Sequence, residues 1–258
     1  MELKNKIAVV TGGGSGIGKA LAARFIAEGA KQVVVVDLNA ENAAAVANSL
    51  GCVAMTADVS REEDIRRVIE DTEAQIGPID LFCSNAGVGL GQSPASPNKE
   101  WQMSWDINVM AHVYAARYLV PLMVARGGGY LLNTASAAGL LNQIGGAAYG
   151  VTKHAAVGFA EWLAIHHAHE GIKVSLLCPQ AVRTPMTAGD DDGIAAASVD
   201  GMMEPEELAE IVVAGLKEEK FLILTHDEVL EYMRRKTSDY DRWVGGMNRL
   251  MKKIAGIG

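Results

Sequence analysis

The chain has 258 residues, 49% of them apolar, and a formal net charge of −8. This acidic balance argues against a nucleic-acid groove or an anionic membrane surface as a partner. With no run of ~18 uninterrupted apolar residues and no signal-peptide pattern in its first residues, we expect neither a membrane span nor export. The three cysteines lie far apart in apolar runs, which indicates reduced thiols in a cytoplasmic protein and no metal site.

Short β-rich runs alternate along the chain with longer helical patterns. The predicted strands span residues 6–12, 32–37, 52–59, 79–87, 129–136, 173–179 and 221–226. The predicted helices span residues 17–28, 40–50, a charged stretch ending at 75, 99–126, 148–170, 204–218 and the tail from about 228. Residues 183–203 are predicted to form a loop.

The strand runs are continuously apolar, which indicates burial on both faces and therefore a parallel sheet covered by helices. Right-handed crossovers then give an α/β fold of Rossmann type, a doubly wound parallel sheet flanked by helices. We see no linker or repeat and predict a single domain over residues 1–258. Its dinucleotide-binding part is expected at about 5–145, and its catalytic and substrate-binding part at about 136–258.

A glycine-rich stretch, TGGGSGIG, joins the first predicted strand to the first helix. Gly12, Gly16 and Gly18 meet the spacing G-x-x-x-G-x-G, although G-x-G-x-x-G is not met in a clean register. Glycines there let the backbone approach a pyrophosphate at the positive end of the helix. The alternative is an ordinary glycine-rich turn.

Asp37 ends the second predicted strand, about twenty residues beyond the glycine-rich stretch. A carboxylate at that position can accept hydrogen bonds from the adenosine ribose hydroxyls and repel a 2′-phosphate. Ser15 and Leu38 stand where a basic residue could bind such a phosphate, so we expect NAD as the cofactor. The alternative for Asp37 is an acid at a helix N-terminus. Asp58, at the end of the third strand, could contact adenine.

Tyr149 and Lys153, in the stretch AYGVTKHA, are four residues apart and so share a face if they lie on a helix. Tyr232 and Lys236 repeat this spacing in the tail. The spacing alone fits either a surface pair or a lysine that activates a tyrosine for proton transfer.

Over about residues 5–185 the chain resembles the short-chain dehydrogenases/reductases. The motifs that carry the resemblance, in the family's order and spacing, are TGGGSGIG, Asp58, Asn85-Ala86-Gly87, Asn108, Ser136 and Tyr149-x-x-x-Lys153. The set distinguishes the two tyrosine–lysine pairs. Ser136 precedes Tyr149 by thirteen residues, whereas Glu219 stands at that offset from Tyr232. We therefore predict that Tyr232 and Lys236 form a surface pair.

The resemblance implies an NAD-dependent alcohol dehydrogenase or ketone reductase. Tyr149 is then the general acid and base, and Lys153 and the positive nicotinamide lower its pKa from about 10. Ser136 positions the substrate oxygen, and Asn108 holds a water. The implied cofactor-binding residues are Gly12, Gly14, Ser15, Gly16, Ile17, Gly18, Asp37, Asp58, Val59, Asn85, Ala86, Gly87, Tyr149, Lys153, Pro179, Val182 and Thr184. The expected substrate-binding residues are Ser136, Ala138, Ile144, Tyr149, Gln180 and Met186.

The expected pocket walls are mostly apolar, so we predict an uncharged, largely apolar secondary alcohol or its ketone as substrate. The wall residues are Val88, Leu90, Ala138, Leu140, Leu141, Gln143, Ile144, Met186, Ile194, Val199, Met202 and Met203. The acidic run Asp190 to Asp192 could fold inward and spoil this pocket.

Two departures from the family pattern stand out. Gln180 follows Pro179 where glycine is common, and the tail lacks the usual glycine-rich ending. Two other functions stay open: a non-catalytic NAD(H)-binding regulator with the same fold, and an epimerase or dehydratase. The helices near 100–126 and 148–170 carry more apolar surface than one sheet can bury, and family members pair these helices, so we expect a homodimer or homotetramer.

Overall fold

One parallel sheet organises the part of the chain that the computed structural model describes, residues 1–189 and 192–257. Within those residues it has seven strands in the order β3-β2-β1-β4-β5-β6-β7. The strands are β1 (Ile7–Thr11), β2 (Gln32–Asp37), β3 (Val53–Thr56), β4 (Leu81–Ser84), β5 (Gly129–Thr134), β6 (Ile172–Cys178) and β7 (Leu222–Leu224). The predicted doubly wound α/β fold is confirmed.

Helices connect the strands and cover both faces of the sheet. They are α1 (Gly16–Ala27), α2 (Ala40–Leu50), α3 (Glu62–Gln75), α4 (Asn98–Trp105), α5 (Ala111–Ala125), α6 (Ala138–Leu141), α7 (Ala147–His167), α8 (Asp192–Ala197), α9 (Pro205–Lys217), α10 (Glu228–Ser238) and α11 (Tyr240–Ile254). Pro205 opens α9, where its missing N–H is not needed. The side chain of Asn39 caps α2 by accepting a hydrogen bond from the Asn42 N–H at 3.0 Å.

The apolar core has one layer on each face of the sheet. On one face, Val9 of β1 packs in a cluster with Ile65, Leu119 and Leu163 of α3, α5 and α7. On the other face, Val10 packs in a cluster that holds side chains of α1, α2 and α9. Successive residues of β1 therefore serve opposite layers, which explains its uninterrupted apolar run.

The structure differs from the predicted elements where the chain leaves the sheet. Strand β4 ends at Ser84, so Asn85-Ala86-Gly87 forms a loop rather than the end of a strand. The long helix predicted at 99–126 contains a wider π-turn at Asp106–Met110. The tail is two helices, and Asp239 caps the second by accepting from the Arg242 N–H at 2.9 Å. A short 3₁₀ turn (Pro185–Thr187) and α8 interrupt the segment predicted to be a loop.

The helical stretch Asn98–Ala125 is long and apolar enough to cross a membrane by length and composition alone. Half of its most apolar window is buried inside the protein (50%). A core helix of this kind passes the same test, so the stretch is weak evidence for a span.

Candidate active site

Two adjoining cavities lie at the carboxyl ends of the strands, where the order of the sheet reverses between β1 and β4. The larger has a volume of about 400 Å³ and the smaller about 130 Å³. Both are lined by Ser136, Tyr149, Gln180, Met186 and Thr187. The two cavities therefore meet at Tyr149 and Ser136.

The larger cavity gathers nearly all of the predicted cofactor-binding residues. These are Gly12, Ser15, Gly16, Ile17, Gly18, Asp37, Asp58, Val59, Asn85, Ala86, Gly87, Tyr149, Lys153, Pro179, Val182 and Thr184. Gly14 is the exception. Its N–H donates to Asp37 Oδ2 at 2.9 Å, so it fixes that carboxylate instead of lining the cavity. Leu38, noted in the sequence for its lack of charge, also lines it. Sequence reasoning missed Ala57, Ile107, Thr134, Ala135, Pro185 and Thr187, most of which neighbour a predicted residue.

The glycine-rich loop has no room for side chains at its turn. Gly12 has a φ of +64°, in the left-handed region that favours glycine. A Cβ on Gly18 would lie 2.1 Å from the Gly12 carbonyl oxygen. The loop can thus close only with glycines at these positions. Its tight turn leads into the N-terminus of α1, the geometry that suits a pyrophosphate.

The carboxylate of Asp37 is held from two sides at the end of β2. Oδ2 accepts from the Gly14 N–H and Oδ1 accepts from the Asn39 N–H, each at 2.9 Å. Leu38 beside it is 70% exposed and also lines the cavity. An oriented anion with an apolar neighbour suits ribose hydroxyls and opposes an additional phosphate.

Tyr149 and Lys153 lie on the inner side of α7. Lys153 Nζ is 5.7 Å from the centre of the Tyr149 ring, and it donates to the Thr134 carbonyl at 3.1 Å. Ser136 Oγ accepts from the Ala138 N–H at 3.0 Å, which fixes it beside the phenol at the end of β5. The structure thus brings together the tyrosine, lysine and serine that are separated in sequence.

Burial sets the proton affinities of this pair. It raises the pKa of the Tyr149 phenol, and the Ser136 hydroxyl opposes the rise. It lowers the pKa of Lys153 to about 8. We expected Lys153 and the positive nicotinamide together to lower the pKa of Tyr149, and in the protein alone that pKa is raised. The reason is that desolvation penalises both charged forms more than the neighbouring groups favour them.

Asn108 lies behind the cavity wall, in the π-turn and fully buried. Its Oδ1 accepts from the Val88 N–H at 2.9 Å, and its Nδ2 donates to Thr152 Oγ1 at 3.0 Å. A Cβ on Gly87 would lie 3.2 Å from Asn108 Oδ1 and 3.3 Å from Lys153 Nζ. Asn108 therefore ties the loop after β4 to the helix that carries the tyrosine and lysine.

The smaller cavity is lined by some of the predicted substrate-binding residues but not by others. Ser136, Tyr149, Gln180 and Met186 line it. Among the residues that the structure describes, Ala138 and Ile144 line neither cavity, and Ala138 is 3% exposed within α6. A helix of four residues gives no sequence periodicity, so this burial was not predictable. Gln143, a predicted wall residue, also lines the smaller cavity, together with the polar side chains of Gln92, Thr187 and Ser198, which were not predicted there. Asp190 and Asp191 lie outside the described residues.

Tyr232 and Lys236 are not a surface pair, which corrects the prediction. The Tyr232 hydroxyl donates to Asp200 Oδ1 at 2.9 Å. Lys236 Nζ donates to the Leu140 carbonyl at 2.6 Å. Both contacts are partly buried and join α10 to segments more than thirty residues away, which local sequence patterns do not reveal.

The sequence matches the short chain dehydrogenase family over residues 6–195. It is 34% identical to 1-deoxy-11-beta-hydroxypentalenate dehydrogenase of Streptomyces exfoliatus, over 95% of this chain and 91% of that protein. It is 30% identical to cyclohexanol dehydrogenase of Acinetobacter sp. (strain SE19), over 89% of this chain and 95% of that protein.

Solved structures agree with the sequence matches. A short-chain dehydrogenase/reductase from Burkholderia phymatum in complex with NAD has a TM-score of 0.86 and 27% identity, covering 93% of this chain and 96% of that chain. Solved structures similar to this one contain NAD in one case and NADH or NADPH in others. The chain belongs to the short-chain dehydrogenase/reductase family of oxidoreductases.

Proposed function

We propose that this protein is an NAD(H)-dependent oxidoreductase that interconverts an apolar secondary alcohol and its ketone, with Tyr149 as the general acid and base. The observation that carries the proposal is the position of Tyr149 and Ser136 on the walls of both cavities. A dinucleotide in the larger cavity and a small alcohol in the smaller one would both reach the phenol there.

The residues of the larger cavity fit a nicotinamide dinucleotide. The closed glycine turn, where a Cβ on Gly18 would meet the Gly12 carbonyl at 2.1 Å, leaves space for a pyrophosphate at the start of α1. Asp37 is oriented for the ribose hydroxyls, which favours NAD(H) over NADP(H). Asp58 and Val59 would contact the adenine, and Pro179, Val182 and Thr184 would contact the nicotinamide; all five line this cavity. The bound cofactor supplies a hydride acceptor or donor.

The chain's own residues manage the proton. In oxidation Tyr149 takes the proton of the carbinol oxygen, and in reduction it returns one. Ser136, held by the Ala138 N–H, hydrogen-bonds the same substrate oxygen and orients it. Lys153, in its charged form below about pH 8, favours the phenolate and can bind ribose hydroxyls. Asn108 keeps the surrounding loop and helix in register.

The smaller cavity supports an uncharged substrate. Ala181, Met186, Ile194 and Ala197 form its apolar side. Within the described residues, no Arg or Lys lines it, and a carboxylate or phosphate normally takes a cationic partner. The similarity to cyclohexanol dehydrogenase points to the same class of alcohol.

The test is the absorbance of NADH in steady-state assays with a panel of alcohols and ketones. We expect higher kcat/KM for alkyl or aryl secondary alcohols than for polyols and hydroxy acids of similar size. A higher kcat/KM for the polyols and hydroxy acids would contradict an apolar substrate pocket. Binding of NADH without turnover of any member would favour the alternative, a non-catalytic regulator.

We also propose which parts of the chain bind the cofactor and the substrate, how the protein assembles, and where it acts. Residues of about 5–145 bind the dinucleotide, and residues of about 136–258 supply catalysis and the substrate pocket.

The exposed apolar residues Trp105, Trp162 and Ile165 support a homodimer or homotetramer. The acidic charge and the reduced cysteines, of which Cys83 and Cys178 are buried, support a cytoplasmic enzyme with neither membrane nor nucleic-acid partners.

A further inference from the structure

Helix α10 contacts two segments that adjoin the smaller cavity through one face. The hydroxyl of Tyr232 donates to Asp200 Oδ1 at 2.9 Å, just beyond α8. One turn further on, Lys236 Nζ donates to the Leu140 carbonyl of α6 at 2.6 Å. Helix α6 follows Ser136 directly, so α10 bridges the serine side and the α8 side of the cavity.

Asp200 connects Tyr232 to a residue of the active site. Its Oδ2 accepts from Gln180 Nε2 at 2.8 Å, and the same nitrogen donates to the Ala197 carbonyl at 3.0 Å. Both partners of that nitrogen are pure acceptors, so the orientation of the Gln180 amide is fixed. The Gln180 N–H also donates to Thr225 Oγ1 at 3.2 Å.

The side chain of Gln180 lies where the substrate and the cofactor would meet. Gln180 follows Pro179 at the end of β6 and lines both cavities. Its Oε1 is buried and has no hydrogen-bond partner among the described residues. A free glutamine would rotate to satisfy that oxygen, because an unpaired buried acceptor is unfavourable. Asp200 opposes this rotation.

The described residues from α8 to Asp200 also contact other parts of the protein, including helix α11, against which α8 packs. At the base of this segment, Met203 pairs with Val182, and the Arg183 N–H donates to the Met203 carbonyl at 2.9 Å. Near α8, Gln143 Nε2 donates to the Gly193 carbonyl at 2.9 Å. Asp200 adds to these contacts a direct link from the last turn of the segment to the Gln180 amide and to Tyr232 of α10.

We propose that Tyr232 is a positioning residue for the substrate side of the active site: through Asp200 it fixes the Gln180 amide and the end of α8, and so sets the shape of the smaller cavity. This inference rests on the proposed function only in naming that cavity as the substrate site. The hydroxyl of Tyr232 suits this task because burial and the Asp200 carboxylate both raise its pKa and keep it a donor.

The first test needs no substrate: amide hydrogen exchange of the full chain, comparing wild type with Tyr232→Phe. A hydrogen bond to a charged group shifts a local equilibrium by roughly tenfold or more. We expect exchange of residues 193–200 to accelerate by about that factor while the strands exchange at the wild-type rate. Tyr240→Phe, the same change at a 57% exposed tyrosine of the same tail, is the matched control and should leave this segment unchanged. Unchanged exchange, or uniform acceleration across the sheet, overturns the proposal.

The second test separates positioning from chemistry. Tyr232→Phe should raise KM for the alcohol by ~tenfold, with kcat and the Kd of NADH within about twofold. Asp200→Ala should give the same phenotype, and the double variant should be no worse than either single one. Additive effects, or a loss of kcat alone, contradict a shared contact. If no alcohol is oxidised by the wild type, the proposed function fails, yet the exchange experiment still decides the role of Tyr232.

Discussion

At the scale of single residues, burial opposes charge on both members of the Tyr149–Lys153 pair. Lys153 is 3% exposed and its ammonium donates to a neutral carbonyl, that of Thr134. Its pKa falls to about 8, whereas that of Tyr149 rises. The phenolate therefore needs further positive charge nearby, which an oxidised nicotinamide ring would bring. In the proposed mechanism, proton transfer would then depend on occupation of the larger cavity.

Replacing Tyr149 by phenylalanine removes the proton donor and keeps the ring. General acid–base help is worth ~10²–10⁴ in rate, so we expect kcat to fall by at least that factor, with NADH affinity little changed. Because the tyrosine must lose its proton before it can act as a base, wild-type alcohol oxidation should accelerate as pH rises, and ketone reduction should slow. In the same assays the residual rates of Tyr149→Phe should no longer depend on pH in either direction, whereas those of Tyr240→Phe should keep the wild-type pH dependence. Near-normal turnover of Tyr149→Phe removes this residue from the mechanism.

Asp37 is predicted to set the choice between NAD(H) and NADP(H). Asp37→Ala should relieve the repulsion of a 2′-phosphate and also weaken NAD(H) binding. A hydrogen bond to a charged group is worth ~1.5–3 kcal/mol, so the ratio of kcat/KM values should shift by roughly tenfold to a hundredfold towards NADP(H). Steady-state kinetics with both cofactors measure it. A wild-type enzyme that works better with NADPH shows that Asp37 does not play this part.

The buried charge of Lys153 should lower the stability of the protein at neutral pH. Between its folded pKa of about 8 and the ordinary value of 10.5, the unfolded chain binds more protons, so this group makes stability rise with pH in that window. Below pH 8 the full penalty applies. Lys153→Met should therefore raise the free energy of unfolding at pH 7 by ~1–3 kcal/mol, and the gain should shrink as pH approaches 10.5.

Urea unfolding of wild type and Lys153→Met at pH 7 and pH 9.5 measures this difference. Lys220→Met is the control, because the Lys220 side chain is 58% exposed and its replacement removes no buried charge. A variant that is less stable than wild type by the same amount at both pH values contradicts the expected penalty.

At the scale of elements, the sequence predicts the strands and helices that have a regular apolar pattern. It misses the features that depend on contacts between residues distant in sequence. Burial on both faces leaves a continuous apolar run in the central strands, which made them predictable, with ends displaced where the chain turns into the site. The edge strand β3 alternates between half-buried and exposed residues. Helix α6 is too short to show an apolar periodicity. The π-turn around Asn108 replaces one kind of helical turn by another, which the pattern of the sequence does not distinguish. Tyr232 was misjudged because its partner, Asp200, is set by the tertiary fold. Ser136, Tyr149 and Lys153 were predicted only because their spacing resembles a family.

The turn between β1 and α1 needs glycine at position 18 because there is no space for a side chain there, and not because the backbone must be flexible. A Cβ on Gly18 would lie 2.1 Å from the Gly12 carbonyl, so Gly18→Ala must displace the loop. We expect loss of NADH binding, measured by fluorescence titration. Gly158→Ala, on α7, is the control: its added Cβ would meet nothing within 4 Å. Because alanine is the better helix former by up to ~1 kcal/mol, that variant should bind NADH normally and melt slightly higher. Equal NADH affinity in both variants contradicts the steric argument.

At the scale of the whole molecule, the helices on one side of the sheet leave large apolar side chains uncovered. Trp105 is 40% exposed, Trp162 is 47% exposed and Ile165 is 76% exposed. Stable interfaces bury at least ~1,000 Å² and place such residues at their centre. The same helix, α7, carries Tyr149 and Lys153 on its inner face, so an assembly through its outer face would also support the active site.

A charge in the middle of such an interface should dissociate it. Ile165→Asp places a carboxylate where an apolar contact is expected, and central residues contribute ~2 kcal/mol or more, so the dissociation constant should rise at least about thirtyfold. Size-exclusion chromatography with light scattering should show a dimer or tetramer for the wild type and a smaller species for the variant. Val199→Asp is the matched control, since Val199 is 55% exposed but lies outside these helices, and its mass should equal that of the wild type. A wild type that is monomeric at micromolar concentration, or an Ile165→Asp variant of unchanged mass, contradicts assembly through α7.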